Sequence, residues 1–405
     1  MNIRIAWRNI WRNKKRTMIT VSSVTLAVVL SVFTRSFQEG TYAKMIENAI
    51  GNFTGYVQVH QKDYWDDKTI DNGIVVTDTL IREILSVKDV EGVNLRLEGF
   101  SLASHGNKTK GALVMGVEPQ KADDMLQLND KIISGSYIQA KDNAVVMGSK
   151  LAEYLHLSVG DTLVLLGQGH WGQSAIGAFP VKGIVKMPTP DLNRQIVLMP
   201  LSLAQNFYSF DDGVTTLVVK FKNPDETYQI KDAINARIDT TKYLAMPWQK
   251  MSPEMLQQIQ SDRVGGIFMI AILYMVIAFG VFGTVLMMTE ERKKEFAVMV
   301  AIGMQKTKLV FISLYEAILM NSVGVLLGIV LVIPLIMYFN VHPIQMTGEA
   351  AESIEKLGVE PVLPTIMKFS IFLNNIIVIL IITAVAAIYP SLSILRMKVI
   401  KALRR

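Results

Sequence analysis

Four long apolar stretches constrain this fold more than any other feature of the sequence. Each holds about 20 mostly apolar residues, the length that a helix needs to cross the hydrocarbon core of a bilayer. We predict transmembrane helices at residues 18–37, 264–288, 309–339 and 369–389. The first follows a basic segment, as a signal peptide would. Its apolar run is long, however, and no small-residue cleavage site follows it, so we interpret it as a retained anchor.

The charges beside the four stretches predict the orientation in the membrane. Residues 1–16 contain six Lys or Arg and no acidic residue, and basic residues also cluster around 289–308 and 390–405. Lys and Arg accumulate on the cytoplasmic side of membrane proteins. We therefore expect the N-terminal segment 1–17, the connection 289–308 and the tail 390–405 to be cytoplasmic. The insert 38–263 and the acidic connection 340–368 are then extracytoplasmic.

The remaining composition excludes several classes of protein. The chain has no cysteine, so disulfides, thiolate metal sites and lipidation at cysteine are excluded. Its net charge of +6 divides unevenly, with −5 in residues 38–263 and +11 in the rest of the chain. Because the excess positive charge lies at the membrane flanks, we interpret it as a topology signal. We expect the chain to contact membrane lipids and no nucleic acid.

The large insert is predicted to be an α+β domain between helices 1 and 2. Residues 54–60 alternate between apolar and polar side chains, as a half-buried strand does. Leu80 and Ile84 have the spacing of an amphipathic helix face. Further strands are predicted at 94–103, 112–117, 144–147, 162–166, 179–186, 195–199 and 215–221, and further helices at 149–156, 201–208 and 226–239. Alternation of this kind favours one or two α+β lobes.

The segment 167–180 separates two predicted strands and is rich in glycine. One interpretation is a mobile hairpin tip. The other is a loop that docks a periplasmic partner through His170 and Trp171, since functional loops often carry an aromatic anchor. The sequence leaves both open.

No constellation of catalytic or metal-binding residues is found. A phosphate-binding Gly-x4-Gly-Lys-Ser/Thr loop and a Gly-x-Ser-x-Gly elbow are both missing from the sequence. The five histidines are scattered and have no metal-ligand spacing. We therefore expect no catalytic residue, no metal and no cofactor on this chain, and an energy source in another protein.

The connection between spans two and three has the features of a coupling element. Glu291 and Glu295 lie one helical turn apart, so their carboxylates share a face. Phe296 begins an apolar stripe, and Gly303 is predicted to end the helix just before span three. Such an element could be pushed by a cytoplasmic partner. The alternative is a plain charged turn beside the membrane.

This connection resembles the signature Glu-Arg-x-x-Glu-Ile-Gly-x-x-[Arg/Lys]-Ala-x-Gly of the MacB/FtsX-like ABC transporter permeases. Residues 291–297 and 301–303 carry the match, with Ala297 in place of a glycine and Val300 in place of a basic residue. The segments 6–17 and 389–404 are similar to the opening and the ending of that family. The residues that the resemblance assigns to ATPase coupling are Glu291, Arg292, Glu295, Phe296, Ala301 and Gly303.

The resemblance implies a bacterial protein whose mechanism is driven by an ATPase in the cytoplasm. Two permease subunits would form a homo- or heterodimer in the inner membrane, and each would contact an ABC ATPase that holds ATP and Mg²⁺. The layout is closest to lipoprotein-releasing (Lol-type) permeases. In these, lipid anchors would pass the first span, where Ser22, Ser23 and Arg35 would line the path. The loop 167–180 would then meet a periplasmic carrier.

Two other functions fit the same layout. One is efflux of drugs or peptides together with a periplasmic adaptor. The other is a regulator or receptor that controls cell-wall enzymes and transports nothing. The sequence alone does not choose among the three.

Overall fold

The chain forms one unit of long apolar helices and one unit built around a β-sheet. The computed structural model describes residues 14–187, 189–349, 351 and 362–400. The membrane unit comprises residues 1–42, 258–345 and 362–405, and the domain comprises 43–257 and 346–361. Parts of the predicted basic segment 1–17, loop 340–368 and tail 390–405 lie outside the described residues. The predicted class, four spans with an α+β domain between the first and second, is confirmed.

The helices of the membrane unit continue beyond the predicted hydrophobic spans. Within the described residues, four helices are long and apolar enough to cross a membrane: α1 (Lys14–Ile46), α9 (Pro253–Glu291), α11 (Lys306–Val341) and α12 (Phe369–Ala386), which continues through α13 (Ile388–Leu395). A short helix, α10 (Lys293–Ala301), joins α9 to α11. The strands β13 (Ile344–Gln345) and β14 (Val362–Leu363) pair beyond α11.

Small residues allow α1 and α11 to pack closely. Gly324 and Gly328 lie one turn apart on α11, and a Cβ atom built on them would lie 2.8 Å and 2.6 Å from the Cβ atoms of Val24 and Val28. The Thr25 hydroxyl donates to the carbonyl oxygen of Gly324 at 3.0 Å. Close approach of this small-xxx-small kind is how membrane helices gain van der Waals contact, since the lipid is as apolar as their side chains.

Buried polar side chains also join the spans. Asn375 on α12 accepts hydrogen bonds from Ser31 on α1 at 2.7 Å and from the Tyr274 hydroxyl on α9 at 2.6 Å. Asn321 on α11 donates to Thr383 on α12 at 2.9 Å. Polar side chains within a membrane need such partners, so these bonds set the register of the bundle.

The domain contains a ten-stranded, mostly antiparallel sheet. Its order is β12-β1-β11-β3-β4-β9-β6-β8-β5, with β7 paired to both β3 and β8. The pairs β4–β9 and β6–β8 are parallel. The strands are β1 (Val57–Gln61), β3 (Val90–His105), β4 (Lys108–Val117), β5 (Ile132–Gly135), β6 (Val145–Gly148), β7 (Thr162–Gln168), β8 (Ser174–Val185), β9 (Ile196–Pro200), β11 (Thr216–Phe221) and β12 (Tyr243–Pro247), and a separate small pair is β2 (Ile74–Val75) with β10 (Gly213–Val214).

Helices cover the apolar faces of this sheet. They are α2 (Asp78–Leu85), α3 (Pro119–Leu126), α4 (Ser149–Leu155), α5 (Pro190–Asn193), α6 (Leu201–Tyr208), α7 (Thr227–Asn235) and α8 (Trp248–Met251). Leu80 and Ile84 of α2 are buried, as their spacing predicted. The buried residues form three apolar clusters, and burial of this apolar surface is the main stabilising contribution to the domain.

The predicted loop 167–180 is largely strand. Strands β7 and β8 pair from Thr162↔Pro180 to Gln168↔Ser174, so the turn contains only residues 169–173. The predicted loop is too long because glycines at 167, 172 and 177 suggested irregular backbone. Gly167 and Gly177 instead lie within paired strands, where a Cβ atom would crowd Ser101 and Phe179.

Candidate functional site

The connection between α9 and α11 is a sharp elbow. Helix α9 ends at Glu291, α10 runs from Lys293 to Ala301, and α11 begins at Lys306. Gly303 follows α10 with φ of 104°, a left-handed conformation that residues with a Cβ atom rarely adopt. The chain therefore turns at the residue where the end of a helix was predicted from the sequence.

Arg292 fixes the elbow to the third span. Its Nη1 donates to Glu316 Oε2 on α11 at 2.5 Å, and its Nε donates to Glu295 Oε2 at 3.2 Å. The Glu316 side chain is 2% exposed and that of Arg292 is 11% exposed. The guanidinium also lies 5.1 Å from the centroid of the Phe296 ring. A charge this deeply buried needs its partner, so the pair resists separation of the elbow from α11.

An apolar cluster attaches the elbow to the end of the fourth span. Phe296 and Ala297 of α10 are buried against Leu309 of α11 and against Ile394 and Met397 at the end of the described helix pair α12–α13. Phe296 is 1% exposed. The elbow is therefore packed as part of the bundle.

Lys306 adds a polar contact to the same attachment. Its Nζ donates to the carbonyl oxygens of Leu395 at 3.1 Å and Met397 at 2.8 Å. These carbonyls lie at the end of α13, where free carbonyl groups and the helix dipole favour a cation. A displacement of α10 would thus be carried into α11 and into the end of α13.

The predicted coupling set divides into surface and interior positions. Glu291, Ala301 and Gly303 are exposed, Glu295 is partly exposed, and Ile302 is 81% exposed. Arg292 and Phe296 face the bundle. The assignment of the six residues to ATPase coupling stays a prediction. For Phe296, whose ring is buried, such coupling could act only through packing inside this chain.

Glu316 and Lys306 are parts of this site that were not predicted from the sequence. A signal for Glu316 exists, because an ionisable residue within an apolar span is rare unless it has a partner or a role. Its partner Arg292 lies 24 residues earlier, and no spacing rule connects the two.

The residues predicted to line a cargo path on α1 separate into different environments. Ser23 lines an apolar groove of about 320 Å³ between α1 and α9, together with Leu26, Leu30, Val276 and Gly280. Ser22 is exposed outside that groove. Arg35 lines a second, polar cavity nearer the domain end of the spans. The three residues therefore lie in three different environments within the described chain, and their role in a cargo path stays a prediction.

His170 and Trp171 lie at the tip of the β7–β8 hairpin. The His170 ring stacks on Phe210 with centroids 4.2 Å apart, and the Trp171 amide donates to Asp71 Oδ1 at 2.6 Å. The Trp171 side chain is 78% exposed. The tip is therefore held in place by its own domain while presenting one large aromatic side chain outwards, which is how an anchor for a partner is arranged.

The part of the domain that the structure describes shows no metal-binding arrangement. No group of three or more His, Asp or Glu side chains there could hold a metal ion. Burial lowers the pKa of His60 from 6.5 to about 4. It is 1% exposed, with Nδ1 3.2 Å from the carbonyl oxygen of Thr215 and its ring stacked on Tyr64. This is the environment of a packed neutral histidine.

Comparison with known families covers nearly the whole chain. Residues 17–237 match the MacB-like periplasmic core domain, and residues 267–399 match the FtsX-like permease C-terminal domain. The first match spans more than half of the chain. Both families were indicated by the signature at the elbow and by the layout of the spans.

Individual relatives share 22–24% sequence identity with this chain. The lipoprotein-releasing system transmembrane protein LolC of Xylella fastidiosa is 22% identical over 316 residues, covering 74% of each chain. LolE of Haemophilus influenzae is 24% identical over 250 residues, covering 60% of this chain and 59% of LolE. The macrolide export ATP-binding/permease protein MacB of Nitrobacter winogradskyi is 22% identical over 331 residues, covering 79% of this chain and 50% of MacB.

Solved structures resemble the domain at low identity. The periplasmic region of MacB from Actinobacillus actinomycetemcomitans is 13% identical, with a TM-score of 0.36 and coverage of 53% of this chain and 97% of that one. The extracellular domain of the transporter YknZ is 16% identical, with a TM-score of 0.34 and coverage of 47% and 98%.

Proposed function

Because this chain belongs to the MacB/FtsX-like family of ABC transporter permeases, we propose that it couples ATP hydrolysis by a separate ATPase subunit to extraction of an amphiphilic cargo. The cargo that we propose is an acylated protein released from the inner membrane. ATP and Mg²⁺ would bind to the ATPase, and this chain would act as a dimer with a second permease subunit. Both termini and the elbow would face the cytoplasm, and the domain would face the periplasm.

The observation that carries this proposal is the construction of the elbow. One side of α10 exposes Glu295 and Val298, followed by Ile302, to the surroundings. Its other side is attached to α11 by the Arg292–Glu316 pair and to the end of α13 by the Phe296 cluster. A partner that pushes the exposed side would therefore move two spans together.

Three further features support release of an acylated cargo to a carrier. LolC and LolE, by their names components of lipoprotein-releasing systems, match 74% and 60% of this chain. The groove between α1 and α9 is lined mainly by apolar side chains and has room for an acyl chain. The anchored hairpin tip with exposed Trp171 would receive a soluble periplasmic carrier.

Export of a small molecule is a second candidate. The observation that favours it is the similarity to a macrolide export protein over 79% of this chain. This alternative shares the same coupling elbow and differs only in the cargo and the periplasmic partner.

The coupling proposal is tested by reversing the charge at the elbow. We expect Glu295→Lys to weaken co-purification of the cytoplasmic ATPase about tenfold, because like charges across an interface oppose docking. Ile302→Asp should have a similar effect without touching the Arg292 pair. Glu153→Lys changes an exposed charge in the domain and is the matched control.

Membrane insertion and protein yield should stay the same in all three variants. If the ATPase co-purifies undiminished with both Glu295→Lys and Ile302→Asp, the elbow is not the docking surface.

A further inference from the structure

A cavity of about 490 Å³ lies between α1, α9 and α12 at the end of the spans that adjoins the domain. Three cations line it, Arg35 on α1, Arg263 on α9 and Lys368 at the start of α12. Among the described residues that line it, Glu39 is the one acidic side chain. The cavity therefore has two more positive than negative charges.

The charges in the cavity are only partly neutralised. Glu39 accepts from Arg263 Nη2 at 3.3 Å and lies 3.5 Å from Arg35 Nη2, so two guanidinium groups share one carboxylate. Arg35 Nη1 is buried and has no hydrogen-bond partner in the described chain. Lys368 lines the same cavity and is partly exposed. A buried charged donor without an acceptor is costly, which favours a bound anion.

The position of these cations is unusual for a membrane protein. Arg35 and Arg263 adjoin the inserted domain, and Lys368 begins the fourth span on the same side. Lys and Arg near span ends are ordinarily in excess on the cytoplasmic side, opposite to this one. The usual distribution of basic residues therefore does not explain why three cations lie around one extracytoplasmic cavity.

Deeper in the membrane the wall of the cavity is partly apolar. On α9, Ile267 and Ile270 follow Arg263 at intervals of four and three residues, so they continue the same helix face. On α12, Val378 lies one turn beyond Asn374. The polar groups of Tyr274 and Asn375, which also line the wall, are bonded to each other at 2.6 Å. A cationic rim above a partly apolar wall matches an anionic headgroup attached to an acyl chain.

We propose that this cavity binds the phosphate of an anionic phospholipid, with one acyl chain against Ile267, Ile270 and Val378. Guanidinium groups present paired donors to phosphate oxygens, and Lys368 adds a point charge. The site is separate from the Ser23 groove and does not depend on the identity of the transported cargo. A bound lipid here would hold α1, α9 and α12 together at their extracytoplasmic ends.

The test measures lipid binding to the purified full-length chain in detergent by native mass spectrometry. We expect phosphatidylglycerol to bind at least fivefold more tightly than phosphatidylcholine of the same chain length. Arg263→Gln and Lys368→Gln should each weaken phosphatidylglycerol binding about fivefold. Glu39→Gln should strengthen it, because the competing carboxylate is removed. Lys44→Gln, on the same helix but outside the cavity, is the matched control and should change nothing.

Free glycerol 3-phosphate distinguishes the two sources of a phosphate. Displacement of the lipid only by other anionic lipids supports a bilayer phospholipid. Displacement by millimolar glycerol 3-phosphate supports a phosphate site that also takes soluble esters. Equal binding of phosphatidylglycerol and phosphatidylcholine, or equal effects of Lys368→Gln and Lys44→Gln, would overturn the inference. The ATPase co-purification described above is independent of either result.

Discussion

The Arg292–Glu316 pair provides the sharpest quantitative prediction about the elbow. Replacing Glu316 with Met leaves the guanidinium of Arg292, 11% exposed, without its nearest partner. Breaking a buried pair from one side costs about 3–5 kcal/mol when the remaining charge has no other partner. Arg292 keeps Glu295 at 3.2 Å, so we expect a smaller loss, about 2–3 kcal/mol in the free energy of unfolding.

A double-mutant cycle separates the pair from the packing around it. Arg292→Met keeps an unbranched side chain of similar length next to Phe296. In the double variant, Arg292→Met with Glu316→Met, no buried charge remains unpaired, so it should be more stable than Glu316→Met alone. The coupling energy expected from the cycle is about 2 kcal/mol, measured by denaturant titration of the full-length chain in micelles.

The neighbouring pair Lys293–Glu290 is the control. Its atoms are 2.6 Å apart, nearly the same distance as in the buried pair, but the two side chains are 32% and 46% exposed. An exposed pair is worth about 0.2–1 kcal/mol at most, because water and salt screen it. A second double-mutant cycle is made with Lys293 and Glu290. If its coupling energy equals that of the Arg292–Glu316 cycle, burial is not the reason why the Arg292–Glu316 pair holds the elbow to α11.

Two further predictions concern stability elsewhere in the chain. Since the pKa of His60 in the folded protein, about 4, lies below its ordinary 6.5, protonation opposes folding. The free energy of unfolding should therefore fall by on the order of 3 kcal/mol as pH drops from 6.5 to 4. In His60→Asn this pH dependence should flatten, whereas exposed His156→Asn should retain it; an unchanged slope in His60→Asn would contradict the assignment. Gly328→Leu should lower the melting temperature, because its Cβ atom would meet Val28, and overpacking costs about 1–3 kcal/mol. Gly283→Leu adds the same side chain where a Cβ atom meets open space, and equal losses in both glycine variants would argue against close packing of α1 on α11.

The parts of the fold that follow from short-range patterns were predictable. The spans follow from the thickness of the bilayer, which sets a length that any sequence must satisfy. Strands β3, β4 and β8 lie inside the sheet, and each overlaps a strand predicted from the sequence. The helix with Leu80 and Ile84 was placed by its buried face.

The two strands of the main sheet that were not predicted, β5 and β12, lie at its edges, where each pairs with only one neighbour in the main order. None of the four residues of β5 is buried, so it shows no apolar alternation. In β12 the last three residues are buried, but the strand ends in a proline, which is unfavourable in a strand. The burial of Arg96 was not predicted, for a different reason. This residue lies in the middle of β3, is 1% exposed and donates to the carbonyl oxygen of Phe53 at 2.6 Å, although arginine in a strand ordinarily indicates the solvent side.

The candidate site was predictable in location but not in geometry. The signature at 291–303 identified the elbow, whereas its attachment depends on contacts between residues far apart in the sequence. Which side of α10 is buried follows from the positions of Glu316, Leu309 and Ile394, and these are known only once the helices are packed. The same holds for the cations of the polar cavity, which come from three separate helices.

Analysis of the cargo bound to the native complex tests the central proposal most directly. The full-length chain would be purified from its own membrane with its ATPase, without nucleotide, and the bound molecules would be identified by mass spectrometry. We predict an acylated protein in the complex that is released on addition of ATP and Mg²⁺ with a soluble carrier. A complex that contains the ATPase but no acylated protein, before or after nucleotide, would contradict lipoprotein release as the function.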